Sequence, residues 1–256
     1  MQKIVLIGGG SGISPLLTEL SKKKNVEVSA VVTVFDNGGS SGILRKKFQI
    51  PAVGDFRKCV SATAGGIAEF FEKCEGGHAL GNLILADLIQ EKGFAEATTI
   101  FAKFGKAKVL PVSFSNAQLV GIFADGSQIV GEEKFDHPPK KFLAKKIEKV
   151  SLLPHAKLNP AVSEIFAAAD KIVVGPGSLF GSLLVNFAVE GFKKSFEKSS
   201  AKKSLVMNST CEFGCGGEGV EEVVRRFGVE FDEILRSPKK SKLWDAKFLV
   251  KEICCM

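Results

Sequence analysis

Five glycine-rich turns punctuate the 256-residue chain, and each sets small polar or charged side chains beside exposed backbone N–H groups. The first, Gly8-Gly9-Gly10-Ser11-Gly12, follows the apolar run Lys3–Ile7 and leads into a helical pattern. Unobstructed N–H groups at a helix N-terminus, backed by the helix dipole, form a phosphate cradle. The segment lacks the third glycine of a dinucleotide fingerprint, because Ile13 stands there, and no Lys-Ser/Thr follows to make a Walker loop. A tight strand-to-helix turn is the competing reading, but it needs only one or two glycines. The second turn, Asp36-Asn37-Gly38-Gly39-Ser40-Ser41-Gly42, closes the run Val31–Phe35 and is followed by Leu44 and Arg45. In a doubly wound sheet an acid at this strand end reaches a ribose hydroxyl, and the Gly/Ser run after it can wrap a second anionic group. An exposed flexible loop is the alternative there.

The third turn, Gly54-Asp55-Phe56-Arg57, pairs a helix-capping carboxylate with a guanidinium able to grip phosphate bidentately, or is a plain N-cap with a surface arginine. Gly77-His78-Ala79-Leu80-Gly81-Asn82 then offers a histidine for ligand contact or acid/base work, and an amide. Late in the chain Gly175-Pro176-Gly177-Ser178 again opens a strand onto a helix N-terminus, with Asn186 further along that helix. Asn82 and Asn186 suit hydrogen bonds to a base or sugar. The glycine loops at 8–12 and 175–178 suit a diphosphate, Arg57 suits phosphate charge, and Asp36 suits a ribose or a metal ion. His137 and His155 carry no assigned role.

The elements that must position these turns are short aliphatic runs alternating with helical stretches, the signature of a parallel α/β fold. Strands are expected at Lys3–Ile7, Glu27–Phe35, Lys108–Val112, Gln118–Phe123, Gln128–Val130, Ile147–Leu152, Lys171–Val174, Ser204–Met207 and Glu233–Leu235. Most are continuously hydrophobic, as strands covered on both faces must be. Asp125-Gly126 between two such runs predicts a small antiparallel hairpin. Helices are expected at Ser14–Lys23, Lys58–Lys73, Leu80–Gln90, Ala95–Phe104, Pro160–Ala169, Leu179–Val189 and Val220–Phe227, with Gly191–Lys203 a surface loop or solvated helix. No repeat and no linker divides the chain, so the expectation is one domain: a three-layer, Rossmann-like α/β fold with a mostly parallel sheet and helices on both faces.

Composition narrows the function classes. With 45% hydrophobic and 25% charged residues the chain is neither disordered nor fibrous. Its apolar stretches stop well short of the ~20 residues that cross a bilayer, so no membrane span is expected. No signal-peptide pattern opens it, which gives a cytoplasmic expectation. Thirty-five basic against 28 acidic residues leave +7, clustered at Lys22–Lys24, Arg45–Lys47, Lys140 to Lys146, Lys193–Lys203 and Lys239–Lys242. These runs read as solvated faces or as a bias toward a phosphorylated small ligand. No nucleic-acid motif accompanies them. Six cysteines read as free thiols in a reducing compartment, Cys211 and Cys215 being too few for a closed zinc site. Twenty-one phenylalanines and no tyrosine have no functional explanation at this level.

In this order the five turns, with Leu110-Pro111-Val112 and Asp170 through Ser182, resemble the CofD/YvcK family, which joins gluconeogenesis factors to 2-phospho-L-lactate transferases. The doubled glycine and serine at Gly38–Ser41 place the resemblance with the gluconeogenesis-factor branch. That resemblance implies a Rossmann-like homodimer binding UDP-sugars such as UDP-N-acetylglucosamine, with influence on carbon metabolism and cell-envelope synthesis. No cofactor is required on this reading. The transferase branch implies instead a divalent metal, Mg2+, and phospholactyl transfer to a deazaflavin. Members commonly carry two acids where this chain has Asp36-Asn37, so Asp36 is the one metal candidate from that pair. The chain also departs from the family pattern at Lys58, Phe180 and Gly181.

Overall fold

A computed structural model describes residues 1–207, 213–236 and 245–254. Cys211, Cys255 and the Lys239–Lys242 run lie outside the described residues. Six parallel strands form the main sheet: β1 (Gln2–Gly8), β2 (Val26–Val32), β3 (Lys108–Pro111), then, after an antiparallel unit of β4 (Gln118–Phe123), β5 (Gln128–Val130) and β6 (Ile147–Leu153), the strands β7 (Lys171–Val174), β8 (Lys202–Met207) and β9 (Glu233–Arg236). Their order across the sheet is β9-β8-β7-β1-β2-β3. Central β1 pairs Leu6 with Ala30 of β2 on one side and with Val173 of β7 on the other. Ile4, Leu6 and Ile7 are wholly buried. Their continuous hydrophobicity reflects helices on both faces of the sheet.

The chain runs outward from β1 through β2 to β3, then returns to the far side of β1 with β7. Strand order therefore reverses between β1 and β7, the switch point where open α/β sheets bind ligands beyond the carboxyl ends of their strands. The loops leaving β1 and β7 are the two glycine loops assigned to diphosphate.

Nine helices matter to this geometry: α1 (Gly10–Leu20), α2 (Gly39–Phe48), α3 (Gly54–Ser61), α4 (Leu80–Lys92), α5 (Phe94–Ala102), α6 (Pro160–Ala168), α7 (Phe192–Lys198), α8 (Val220–Arg226) and α9 (Ala246–Cys254). Several differ from expectation. The Gly39–Gly42 run is the first turn of α2, which Leu44 and Arg45 anchor by burial, and not a free loop. The expected Lys58–Lys73 helix breaks after Ser61, where Gly65 adopts φ +64°, into a tight turn and the short helix Ala68–Glu72. Leu179–Leu184 is a wide π-type turn. The lysine-rich Gly191–Lys203 segment contains α7, whose Phe192 and Phe196 are buried. Helix α9 was not anticipated. The hairpin at Asp125-Gly126 gains a third strand, because β6 pairs with β4 instead of joining the main sheet.

The phenylalanines have a packing role. Phe166, Phe187, Phe192 and Phe196 meet edge-to-face, with ring centroids 5.0 to 6.3 Å apart. Phe231 joins the group through Phe196 at 5.8 Å. Such pairs add to the burial of their area, and a ring buried among rings leaves no place to satisfy a tyrosine hydroxyl.

Backbone packs against backbone where the loops meet. A Cβ on Gly10 would lie 2.6 Å from the Asp55 carbonyl oxygen, and one on Gly12 would overlap the Pro176 carbonyl oxygen. These glycines are required by the close approach of three loops, which the number of glycines in a simple turn did not explain. Replacing Gly12 with alanine should therefore lower stability by about 1–3 kcal/mol, the cost typical of overpacking. At this chain length that is a fall of roughly 2–10 °C in calorimetric melting temperature. An unchanged melting temperature would show that the loops part readily.

Candidate functional site

Above the carboxyl ends of β1, β2 and β7 lies an open cleft of about 600 Å³. Its walls come from the first turn of α1 (Gly9, Ser11, Gly12), the start of α2 (Gly38 to Ser41), the start of α3 (Gly54 to Lys58) and the Gly177-Ser178 turn. The sequence-expected Asp36, Asp55, Arg57 and Asn82 all face it. Because these helices start at the cleft, their unpaired N–H groups and positive dipole ends converge there. At the entrance to the π-type turn, Ser178 accepts a hydrogen bond from the Gly181 N–H at 3.4 Å.

Other expected residues support the cleft from behind. Gly8, Gly10, Gly175 and Pro176 shape the loops without lining the cavity. Gly175 holds φ +89°, and a Cβ there would meet the Val206 carbonyl oxygen at 2.6 Å. Asn37 accepts the Glu133 N–H at 2.7 Å and ties the antiparallel unit to the main sheet. Two assignments are corrected by burial. Arg45 is 6% exposed and is consumed by the Phe35 carbonyl at 3.0 Å, the Asn116 side chain at 2.9 Å and the Ala117 carbonyl, so it is a brace beneath the loop. Asn186 is fully buried and donates to the Ser182 and Leu183 carbonyls at 2.7 and 3.1 Å, which places it inside the helical turn.

Along the α2 wall runs a hydrogen-bonded chain. Arg57 Nε donates to Asn82 Oδ1 at 2.9 Å, Asn82 Nδ2 donates to Ser40 Oγ at 3.0 Å, and Ser40 Oγ lies 2.8 Å from His78 Nδ1. Arg57 also pairs with Glu72. Its guanidinium is therefore fixed, and Lys58, which bonds Ser11 at 2.6 Å, is the more exposed cation of the cleft.

A second set of acids was not foreseen. Glu132 and Asp136, brought in by the turn after β5, line the same cleft as Asp36 and Asp55. Nothing in the local sequence signals this, because Gly131–His137 reads as a polar connection and its acids reach the site only through tertiary folding. Asp36 Oδ1 accepts the Gly38 N–H at 2.8 Å and is also hydrogen-bonded to Glu132. Burial, then the charges of Asp36 and Asp136, push the Glu132 carboxyl up to about 8. Burial and Asp36 raise Asp55 to about 6, against the opposing pull of Lys58 and the Gly10 N–H. Burial, followed by Asp36, also raises Asp136.

This donor set fits a hard divalent cation. Among the described residues no group of three histidine, cysteine or carboxylate side chains could form a cage. Asp36 with Glu132 matches instead the open, water-rich mode in which Mg2+ is shared between one or two carboxylates and substrate phosphates. Bound there, the cation would neutralise phosphate charge.

The chain has a Rossmann-like α/β fold with helix N-termini and acids gathered at its switch point. The chain belongs to the CofD family: the family model described as 2-phospho-L-lactate transferase CofD matches residues 4–219. A Thermotoga maritima relative is 39% identical over 218 residues, covering 80% of this chain and 68% of its own. Proteins named gluconeogenesis factor from Halalkalibacterium halodurans and Bacillus subtilis are 38% and 35% identical, covering 83% and 80% of this chain and 68% and 67% of theirs. A Bacillus halodurans crystal structure superposes with TM-score 0.84 at 33% identity, over 97% of this chain and 84% of that one. No helix among the described residues is long and apolar enough to cross a membrane.

The raised carboxyls make stability pH-dependent. A carboxyl whose folded pKa lies above its unfolded value contributes stability that is fully present below the unfolded value and is lost as pH rises through the folded one. Melting in chelator should therefore fall between about pH 4 and pH 8, with Asp55 and Glu132 both contributing up to about 6 and Glu132 alone beyond it. Glu132→Gln should flatten the upper part of this fall and melt higher than wild type at pH 9. A variant that still loses stability as wild type does above pH 7 would contradict the assignment.

Proposed function

We propose that this chain binds a nucleotide-sugar of the UDP-sugar type, or a related nucleoside diphosphate, across its switch-point cleft, and that it acts as a regulator of carbon metabolism or cell-envelope synthesis. The observation that carries this reading is the convergence of the α1 N-terminus and the Gly177-Ser178 turn on one cavity, flanked by Asp36 at the end of the β2 segment. The diphosphate would lie on the N–H groups of Gly9, Ser11 and Ser178. Asp36 would face a ribose or a shared cation, and Lys58 would balance the phosphate charge. A cavity of about 600 Å³ is of the size that small-ligand sites occupy. The relatives named gluconeogenesis factor support the regulatory half of the reading.

One observation favours a second reading. The Asp36–Glu132 pair in the same cleft as the phosphate-facing turns is what a Mg2+-dependent phosphotransferase of the 2-phospho-L-lactate transferase type would need, with a deazaflavin-like acceptor.

Calorimetric melting separates the two. UDP-N-acetylglucosamine with Mg2+ at about 100 times its dissociation constant should add roughly 2.7 kcal/mol, a rise of about 5–10 °C. Asp36→Ala should lose most of that rise without melting lower on its own, since removing a carboxylate relieves repulsion. Absence of any rise would defeat the nucleotide-sugar reading. Turnover of a phospholactyl-nucleotide donor that stops in chelator would favour the transferase.

A further inference from the structure

The α2 wall carries a pair of side chains that the diphosphate contacts leave unused. Ser40 Oγ and His78 Nδ1 stand 2.8 Å apart, and the Asn82 amide holds the serine hydroxyl from behind. Arg57 Nε can only donate, so the atom of Asn82 facing it at 2.9 Å is the carbonyl oxygen. The Asn82 amide nitrogen therefore faces Ser40 and donates to its Oγ at 3.0 Å. With His78 in the Nε2–H tautomer, the serine accepts from Asn82 and donates its own proton to His78 Nδ1. A hydroxyl held from behind, with its proton on an imidazole nitrogen, is the arrangement of a nucleophile and its base.

Three further features fit. Ser40 lines the cleft, whereas His78 lies outside the lining, behind it. Ser40 is the second residue of α2, so the positive end of the helix dipole lies where charge would develop on an attacked centre. Gly38-Gly39-Ser40-Ser41-Gly42 also spells G-x-S-x-G after a strand and into a helix, with Gly39 at φ +46°, the pattern that exposes serine nucleophiles. Charged groups around the pair are Arg57 and Lys58 on α3, Glu72 on the short helix after α3, Glu75 on the two-residue ladder with His78, and Asp36, which accepts the Gly38 N–H just before Ser40.

We propose that Ser40 is a nucleophile, with His78 as its base, which takes the phosphoryl group of a phosphoanhydride bound in the cleft. The Oγ attacks phosphorus and an Oγ–P bond forms. The bond from phosphorus to the bridging oxygen breaks, and its electron pair leaves on that oxygen. The serine proton passes to His78 Nδ1, from which the leaving oxygen can recover it. No oxidant or further reactant is needed. The choice of phosphoanhydride rests on the proposed function above, whereas the nucleophile itself does not.

The test uses diisopropyl fluorophosphate, in which fluoride is the leaving group, read by intact mass and peptide mapping of the full chain. The expected result is a single adduct on Ser40, absent in Ser40→Ala, formed about 100-fold more slowly in His78→Gln, and retarded by UDP-N-acetylglucosamine with Mg2+. No adduct on Ser40, or a rate unchanged in His78→Gln, overturns the proposal. Melting of the same samples with UDP-N-acetylglucosamine keeps the two claims apart. Labelling without a thermal shift upholds the nucleophile and defeats the nucleotide-sugar ligand, and a shift without labelling does the reverse.

Discussion

Contact between backbones at the head of the sheet is the constraint on which the rest depends. The first turn of α1 lies against the Asp55 backbone on one side and the Pro176 carbonyl on the other, at distances that admit no Cβ on Gly10 or Gly12. This contact brings three helix starts, distant in sequence, to one cavity. It also explains why polar backbone can gather there: N–H groups left free by helix geometry face the cleft instead of being buried without partners. The sheet supplies a rigid base for the arrangement, since β1 is hydrogen-bonded on both sides and packed on both faces.

Opposite charges meet in this cavity. Helix N-termini and Lys58 line it together with Asp36, Asp55, Glu132 and Asp136. Left to themselves the acids repel one another, which is why burial and mutual charge lift Glu132 and Asp55. An anionic ligand alone would meet that repulsion, whereas an anion accompanied by Mg2+ would relieve it. The antiparallel unit, which delivers Glu132 and Asp136 and is pinned by the Asn37–Glu133 bond, is therefore part of the site and not an ornament on the sheet.

Much of this was legible in the sequence, for physical reasons. Strands buried on both faces must be continuously apolar, so β1, β2 and β7 stood out. Helix starts beside glycine runs marked the cleft, and Asp36, Asp55 and Asn82 were found from turn chemistry alone. What was missed depends on long-range contact. Whether Arg45 reaches a ligand or the Ala117 carbonyl is decided by a loop more than seventy residues away. Glu132 acquires its character only when folding sets it against Asp36. Helix α2 was hidden because glycine and serine disfavour helices locally, and the burial of Leu44 and Arg45 overrides that preference. Lysines disguised α7, whose stability comes from Phe192 and Phe196.

The central claim is that one cleft holds a diphosphate between the glycine turns and these acids. A crystal structure of the chain with UDP-N-acetylglucosamine and Mg2+ tests it most directly. The account predicts phosphate oxygens on the N–H groups of Gly9, Ser11 and Ser178, with the cation between them and Asp36. Ligand density elsewhere on the molecule, or phosphates turned away from both glycine turns, would contradict it.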